Sequence, residues 1–240
     1  LSQWVLTADG SPSGVNTNVS AGVFTSGSGI SVINFVPDGA TASGWSIGSL
    51  DTNSYFQITI SPQSGFNLVI SEINFGERRS STGIRDYQVQ WSKNTNFGLP
   101  TTIATVNVPD DELERTGNIQ NLNIAVNSGE TLTVRWFGYN AEGSAGTWRI
   151  NDNTLNVKGN VNQPTPALTI QPPTSPVNFG QNTTITLTNT GTSSLPSIVL
   201  SEVVTTFGAT FGPITPLPLP GGATSNPVNV ILSSLTNLKF

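Results

Sequence analysis

Cysteine, histidine and methionine are all missing from this 240-residue chain. Without them there is no thiol nucleophile, no imidazole base and no Ser-His-Asp triad. Zinc, haem and blue-copper sites of the usual kinds lose their ligands as well, and no disulfide can staple the fold. Charge is scarce: Asp, Glu, Lys and Arg make up 10% of the residues, against roughly a quarter in an average soluble domain. With nine basic side chains and a net charge of −5, the chain lacks the positive footprint of a nucleic-acid binder. It also has no run of about 18 apolar residues, so no membrane insertion is expected.

What is present is hydroxyl, amide, glycine and proline. Low charge with many Ser, Thr and Asn side chains suits an extracellular β-surface, and a chain that starts at Leu1 without Met is expected to be a processed, secreted product. Composition changes near residues 159–166, Gly-Asn-Val-Asn-Gln-Pro-Thr-Pro. All five Trp and all three Tyr precede it, while Glu202 and Lys239 are the only charged side chains after it. A Pro-x-Pro stretch holds a chain extended. Two domains are predicted, residues 1–160 and 165–240.

Strand periodicity dominates both. Tyr55-Phe-Gln-Ile-Thr-Ile60 alternates at period two, which puts Tyr55, Gln57 and Thr59 on one face and Phe56, Ile58 and Ile60 on the other. Residues 67–75, 87–91, 101–108, 131–137 and 148–157 read the same way, with turn residues between them. A helical turn is expected only at Pro109-Asp-Asp-Glu-Leu-Glu-Arg115, where acids crowd a possible helix start. The fold class is all-β: a jelly-roll-like β-sandwich followed by a shorter immunoglobulin-like β-sandwich.

Several runs carry a resemblance: Ser54-Tyr-Phe-Gln-Ile-Thr-Ile60, Ile70-Ser-Glu-Ile-Asn-Phe-Gly-Glu-Arg-Arg-Ser-Ser-Thr-Gly83, Tyr87-Gln-Val-Gln-Trp-Ser92 and Gly146-Thr-Trp-Arg-Ile-Asn151. Together they resemble secreted jelly-roll surface domains of Bacteroidetes-like bacteria. Those domains tend to carry Asp directly after Trp-Arg-Ile, where this chain has Asn151 followed by Asp152. Val177-Asn-Phe-Gly180 with Thr184-Ile-Thr-Leu-Thr-Asn-Thr-Gly191 resembles the Hydin-type immunoglobulin-like domains of bacterial surface proteins. The resemblance implies a cell-surface location and a structural or adhesive class rather than a chemistry.

Three sets of side chains are candidates for function. Trp45, Trp148 and Tyr139 lie near Gly, Ser or Asn and are the aromatic candidates for stacking on a sugar, although buried core is the first reading for each. Asp38, Asp51 and Asp152 are candidates for a structural calcium at the sandwich rim, the one cofactor considered. Asp110, Asp111, Glu112 and Glu114 form an acidic cluster that reads first as a solvated loop. Arg78 and Arg79 with Glu77 could bind an acidic glycan, but read first as arginines paired with a carboxylate or with loop carbonyls that fix the Ser80-Ser-Thr-Gly83 turn. The leading expectation is a non-enzymatic extracellular structural or adhesive protein. Its partners would be copies of itself, as in a filament or surface layer, or neighbouring surface domains. The alternative is a glycan-binding module whose partner is a polysaccharide. A glycoside hydrolase would need two carboxylates across a cleft, which sequence spacing cannot place.

Overall fold

The computed structural model describes residues 1–165, 167–171, 182–200 and 208–233. The chain divides into two compact units, Leu1–Gln163 and Pro164–Phe240. Among the described residues there is no α-helix, and no helix is long and apolar enough to cross a membrane. The architecture is all-β, as the alternation requires.

In the first unit the strands, in chain order, are β1 (Ser2–Trp4), β2 (Pro12–Ser13), β3 (Val19–Ala21), β4 (Thr25–Ser26), β5 (Asn34–Val36), β6 (Gly39–Ala42), β7 (Tyr55–Pro62) and β8 (Asn67–Arg79). They continue with β9 (Asp86–Ser92), β10 (Thr101–Asn107), β11 (Arg115–Ile119), β12 (Ile124–Val126), β13 (Leu132–Tyr139), β14 (Trp148–Asn151) and β15 (Leu155–Asn162). One sheet runs β2-β1-β15-β8-β14-β6-β5, with β11 and β12 also on β8. Ile73 pairs with both Val157 and Ile119, and Glu77 with both Ile150 and Arg115, so β14 and β15 share one edge of β8 while β11 and β12 take the other. The second sheet runs β10-β9-β13-β7, with β3 and β4 on the outer edge of β7. The sheets pack face to face. Phe56, Ile58, Ile60, Val134 and Trp136 from the second meet Leu68, Ile70, Ile73, Phe75 and Ile150 from the first, all at most 1% exposed.

β8 carries a bulge that decides what lies inside. Lys158 pairs with Glu72 and the next residue, Gly159, with Ile70, so Ser71 is an extra residue without a partner. Buried positions shift parity there, from Leu68 and Ile70 to Ile73, Phe75, Glu77 and Arg79. Gly159 is required opposite the bulge, because a Cβ there would lie 2.1 Å from the Val69 carbonyl oxygen. The shift turns one acid and one base inward.

In the second unit, β16 (Leu168–Gln171), β17 (Asn182–Asn189), β18 (Gly208–Phe211) and β19 (Val228–Ser233) form a sheet ordered β16-β17-β19-β18. Leu187, Leu219 and Val228 are fully buried. Asn189 is buried with them and pins its own turn: its amide donates to the Ser193 and Leu219 carbonyls and accepts from the Gly191 N–H. Residues 177–180, Glu202 and Lys239, on which part of the sequence-based expectation rests, lie outside the described residues.

The expected helical turn at 109–115 is not formed. Its acids are drawn to arginines instead: Asp110 to Arg79 and Arg85, Asp111 to Arg115, Glu112 to Arg78 and Glu114 to Arg149. Four carboxylates reaching in different directions for separate guanidinium groups hold the segment open and leave no free acidic cluster.

Candidate functional site

Trp45 and Trp148 are 1% and 0% exposed and belong to the core, so neither offers a face to a sugar. The Trp148 ring stacks on Tyr87 at 5.1 Å and on Phe56 at 5.7 Å, and Trp45 meets it edge-on at 5.3 Å. The indole nitrogens are spent too, Trp45 Nε1 on the Ala42 carbonyl and Trp148 Nε1 on Glu77 Oε2. Glycine and serine beside Trp45 do not mark exposure. Gly44, at φ 82°, is the turn that swings the indole inward. Tyr139 is half-buried at the end of β13, opposite Asp86.

The three aspartates do not assemble. Asp38 accepts from Arg149, Asp152 from the Asn153 side chain, and Asp51 from the Asn53 backbone and the Ser54 hydroxyl. The Asn53 backbone N–H above all holds the Asp51 carboxyl below the usual range. Among the described residues no group of three or more acidic side chains is gathered for a metal ion. Each carboxylate instead serves a local turn or an arginine, so the structure does not bring the three calcium candidates together.

The strongest constellation lies on the outer face of the second sheet. Register aligns Thr25, Gln57, Arg135, Gln90 and Thr102 in one row across β4, β7, β13, β9 and β10. The adjacent row holds Tyr55, Phe137 and Gln88. All of these point away from the core, since Phe56, Trp136 and Val89 between them point in. Arg135 Nε donates to Gln57 Oε1 at 2.7 Å, and Gln90 Nε2 donates to Gln88 Oε1 at 2.9 Å.

One more aromatic arrives from a loop. Ser92 Oγ donates to the Gly98 carbonyl and accepts from the Asn94 N–H, and Asn94 Nδ2 also donates to the Gly98 carbonyl. This knot closes the turn Thr95–Phe97, in which Asn96 and Phe97 take φ of 59° and 57°. The turn lays Phe97 over the sheet. The Arg135 guanidinium carbon sits 3.9 Å from the centre of the Tyr55 ring and 4.2 Å from that of Phe97. Phe137 packs against both rings, at 5.6 and 5.9 Å, and is thereby 2% exposed although it lies on the outer face.

Beside this stack is an open depression of about 580 Å³, floored by Gln57, Thr133 and Arg135 and walled by Phe97, Lys93 and Glu130. Its volume is in the range of small-ligand sites. Glu130 is the one carboxylate among the residues that line it, and it is held by Lys93 Nζ at 2.8 Å and the Asn127 N–H. Those two hydrogen bonds, Lys93 first, keep its carboxyl below the ordinary range. Paired-carboxylate hydrolysis has no second acid there. The site combines apolar ring faces, planar amides and a guanidinium. Alternation alone places Tyr55, Gln57 and Thr59 on a shared face, but the cross-strand register that brings Arg135 and Gln90 beside them is a tertiary fact.

No family model and no curated protein sequence matches the chain. Solved structures that resemble it include a CBM4 module (TM-score 0.36, 21% identity, 55% of this chain and 77% of that one). They also include a family 29 carbohydrate-binding module (TM-score 0.33, 11% identity, 65% and 87%). A third is the K2 cleaved adhesin domain of Lys-gingipain (TM-score 0.32, 10% identity, 58% and 90%). At such scores and identities none of these likenesses assigns a ligand.

Proposed function

We propose that the first unit is a non-catalytic glycan-binding module acting outside the cell, with the outer face of the β10-β9-β13-β7 sheet as its binding surface. The observation that carries this reading is Arg135 clamped between Tyr55 and Phe97 at the floor of an open depression lined by amide and hydroxyl side chains. A pyranose ring has an apolar C–H face and an equatorial rim of hydroxyls. Ring faces cover the first, and amides and a guanidinium fork, with donors and acceptors in one plane, match the second. The low charge and hydroxyl-rich composition fit such a partner.

Phe97 supplies the test because it stands on a loop and outside the core. Phe97→Ala is expected to weaken binding of a soluble polysaccharide about tenfold, the loss of a stacking anchor, while the thermal midpoint stays near that of the parent. Affinity gel electrophoresis against a panel of β-glucan, xylan, mannan and polyuronates reads the first quantity and calorimetry the second. A parent chain retarded by none of the panel, or a variant retarded as strongly as the parent, would overturn the reading.

A structural, self-associating role is the second reading, and the edge of the second unit favours it. β16 lies at one end of its sheet with all four residues exposed, and Leu168 and Ile170 are 39% and 49% exposed. An apolar, uncharged edge strand is a template for pairing with another chain. Sedimentation at rising concentration is expected to show reversible association that Ile170→Lys abolishes. A strictly monomeric parent would eliminate this role.

A further inference from the structure

The chain has six arginines. Five of them, Arg78, Arg79, Arg85, Arg115 and Arg149, lie within salt-bridge distance of carboxylates. Arg135 is the exception: among the described residues it has no acidic partner, although it is partly buried at the floor of the depression. Its Nε is committed to the neutral Gln57 Oε1, and its two terminal nitrogens have no acceptor among the described residues. Glu130, the one carboxylate lining the depression, is bound by Lys93.

From this we infer that the depression selects glycans carrying a carboxylate, that is, chains containing uronic acid, with the terminal nitrogens of Arg135 as the carboxylate receptor. The inference rests on the glycan-binding reading of the same face and makes it more specific. Guanidinium and carboxylate are both planar and meet through two parallel N–H···O bonds, a geometry that Lys cannot provide. Tyr55 and Phe97 fix the plane of the fork by covering the guanidinium between them, so little conformational freedom is lost when a ligand arrives. Burial works against the charge of Arg135 and lowers its pKa. A partly desolvated cation without a counter-ion is costly, and a bound carboxylate relieves that cost. The rest of the molecule does not favour polyanions, since the net charge is −5. Attraction to a uronate would therefore be local to Arg135, with Lys93 partly neutralised by Glu130.

The experiment is calorimetric titration of the full chain with hexamers of galacturonate, mannuronate and glucuronate. Each is paired with its carboxyl-reduced, neutral counterpart. At least one acid is expected to bind about tenfold or more tightly than its reduced form, the worth of a charge-assisted hydrogen-bonded pair. Arg135→Gln is expected to erase that preference by weakening binding of the acid about tenfold more than binding of the reduced form, and Arg135→Lys to restore only part of it. Reduced hexamers that bind as well as the acids, with Phe97→Ala abolishing both, would overturn the uronate inference and leave the glycan reading standing. Acid preference that survives in Arg135→Gln would also overturn it. No binding of any hexamer, acidic or neutral, would remove both. The comparison of acid with reduced ligand needs only the parent chain, so a variant that folds poorly does not spoil the test.

Discussion

Trp148→Ala is expected to destabilise the first unit by about 3–5 kcal/mol, a large share of the 5–15 kcal/mol of a typical domain. The indole is fully buried between Tyr87, Phe56 and Trp45, and β14 has only four residues with which to hold its place between β8 and β6. Removing it opens a cavity bounded by three aromatic rings that cannot all close over it. It also strips Glu77 Oε2 of its donor. Urea unfolding would read the loss as a lowered midpoint. Trp148→Phe, which keeps one six-membered ring and loses the N–H with the rest of the indole, is expected to fall between the parent and Trp148→Ala. A midpoint for Trp148→Ala equal to that of the parent would mean that this aromatic cluster does not hold the two sheets together.

Glu77→Leu is the second large effect, with an expected loss of about 3 kcal/mol. Glu77 is 1% exposed. One oxygen accepts from the Trp148 indole at 2.9 Å and the other from Arg115 Nε at 2.6 Å. Leucine would leave a guanidinium and an indole N–H facing an apolar wall. The double replacement Glu77→Leu with Arg115→Met should recover a large part of the loss, because an ion pair taken out whole is far less costly than one taken out by half. What remains is the unsatisfied indole, about 1–3 kcal/mol, together with the loss of Arg115 as the partner of Asp111 on the surface. A double-mutant cycle on urea midpoints tests this, and a double variant no more stable than Glu77→Leu alone would contradict it. Acid has a related effect on the surrounding pairs. The Glu142 carboxyl lies below its ordinary range because Arg79 and then Arg85 donate to it, and Asp111 does so through the Leu113 N–H and Arg115. Groups lowered in the folded state stabilise it above their unfolded pKa, and that contribution is lost as pH falls through the folded value.

Much of this was legible in the strands. The runs at 55–60 and 67–75 lie within β7 and β8 and that at 131–137 overlaps β13, although the bulge at Ser71 breaks the period-two alternation of the second, and the absence of helix periodicity was enough to place the chain among all-β architectures. The site was not legible, for two physical reasons. Its residues come from β7, β9, β13 and the loop before β10, and only cross-strand register sets Gln57, Arg135 and Gln90 in a row. Phe97 reaches Arg135 through left-handed backbone at Asn96 and at Phe97 itself, a conformation that bulky side chains seldom take and that composition does not announce. Of the two readings open for Trp45 and Trp148, the structure takes core. The flanking small residues at Trp45 and Trp148 suggested exposure, whereas alternation in β14 puts Trp148 inside and Arg149 outside. The Asp38, Asp51 and Asp152 set failed because a low-charge chain spends its few carboxylates on its own arginines and turns.

The unpaired Ser71 behaves like a frameshift in the strand. Upstream of it even-numbered residues face inward, and downstream odd-numbered ones do. Its side chain is exposed, yet its looping out of the ladder with β15 is what lets Leu68 and Ile70 face inward together with Glu77, which reaches Trp148, and Arg79, which reaches Glu142. A ladder that ran regularly through Ser71 would keep even-numbered residues inward and offer Arg78 to the interior, whereas a chain without Ser71 would keep Glu77 and Arg79 where they are, since Glu72 and Ile70 already face consecutive residues of β15. Evolution could therefore remove this residue as readily as change it, and the side chains that build the interior would keep their places.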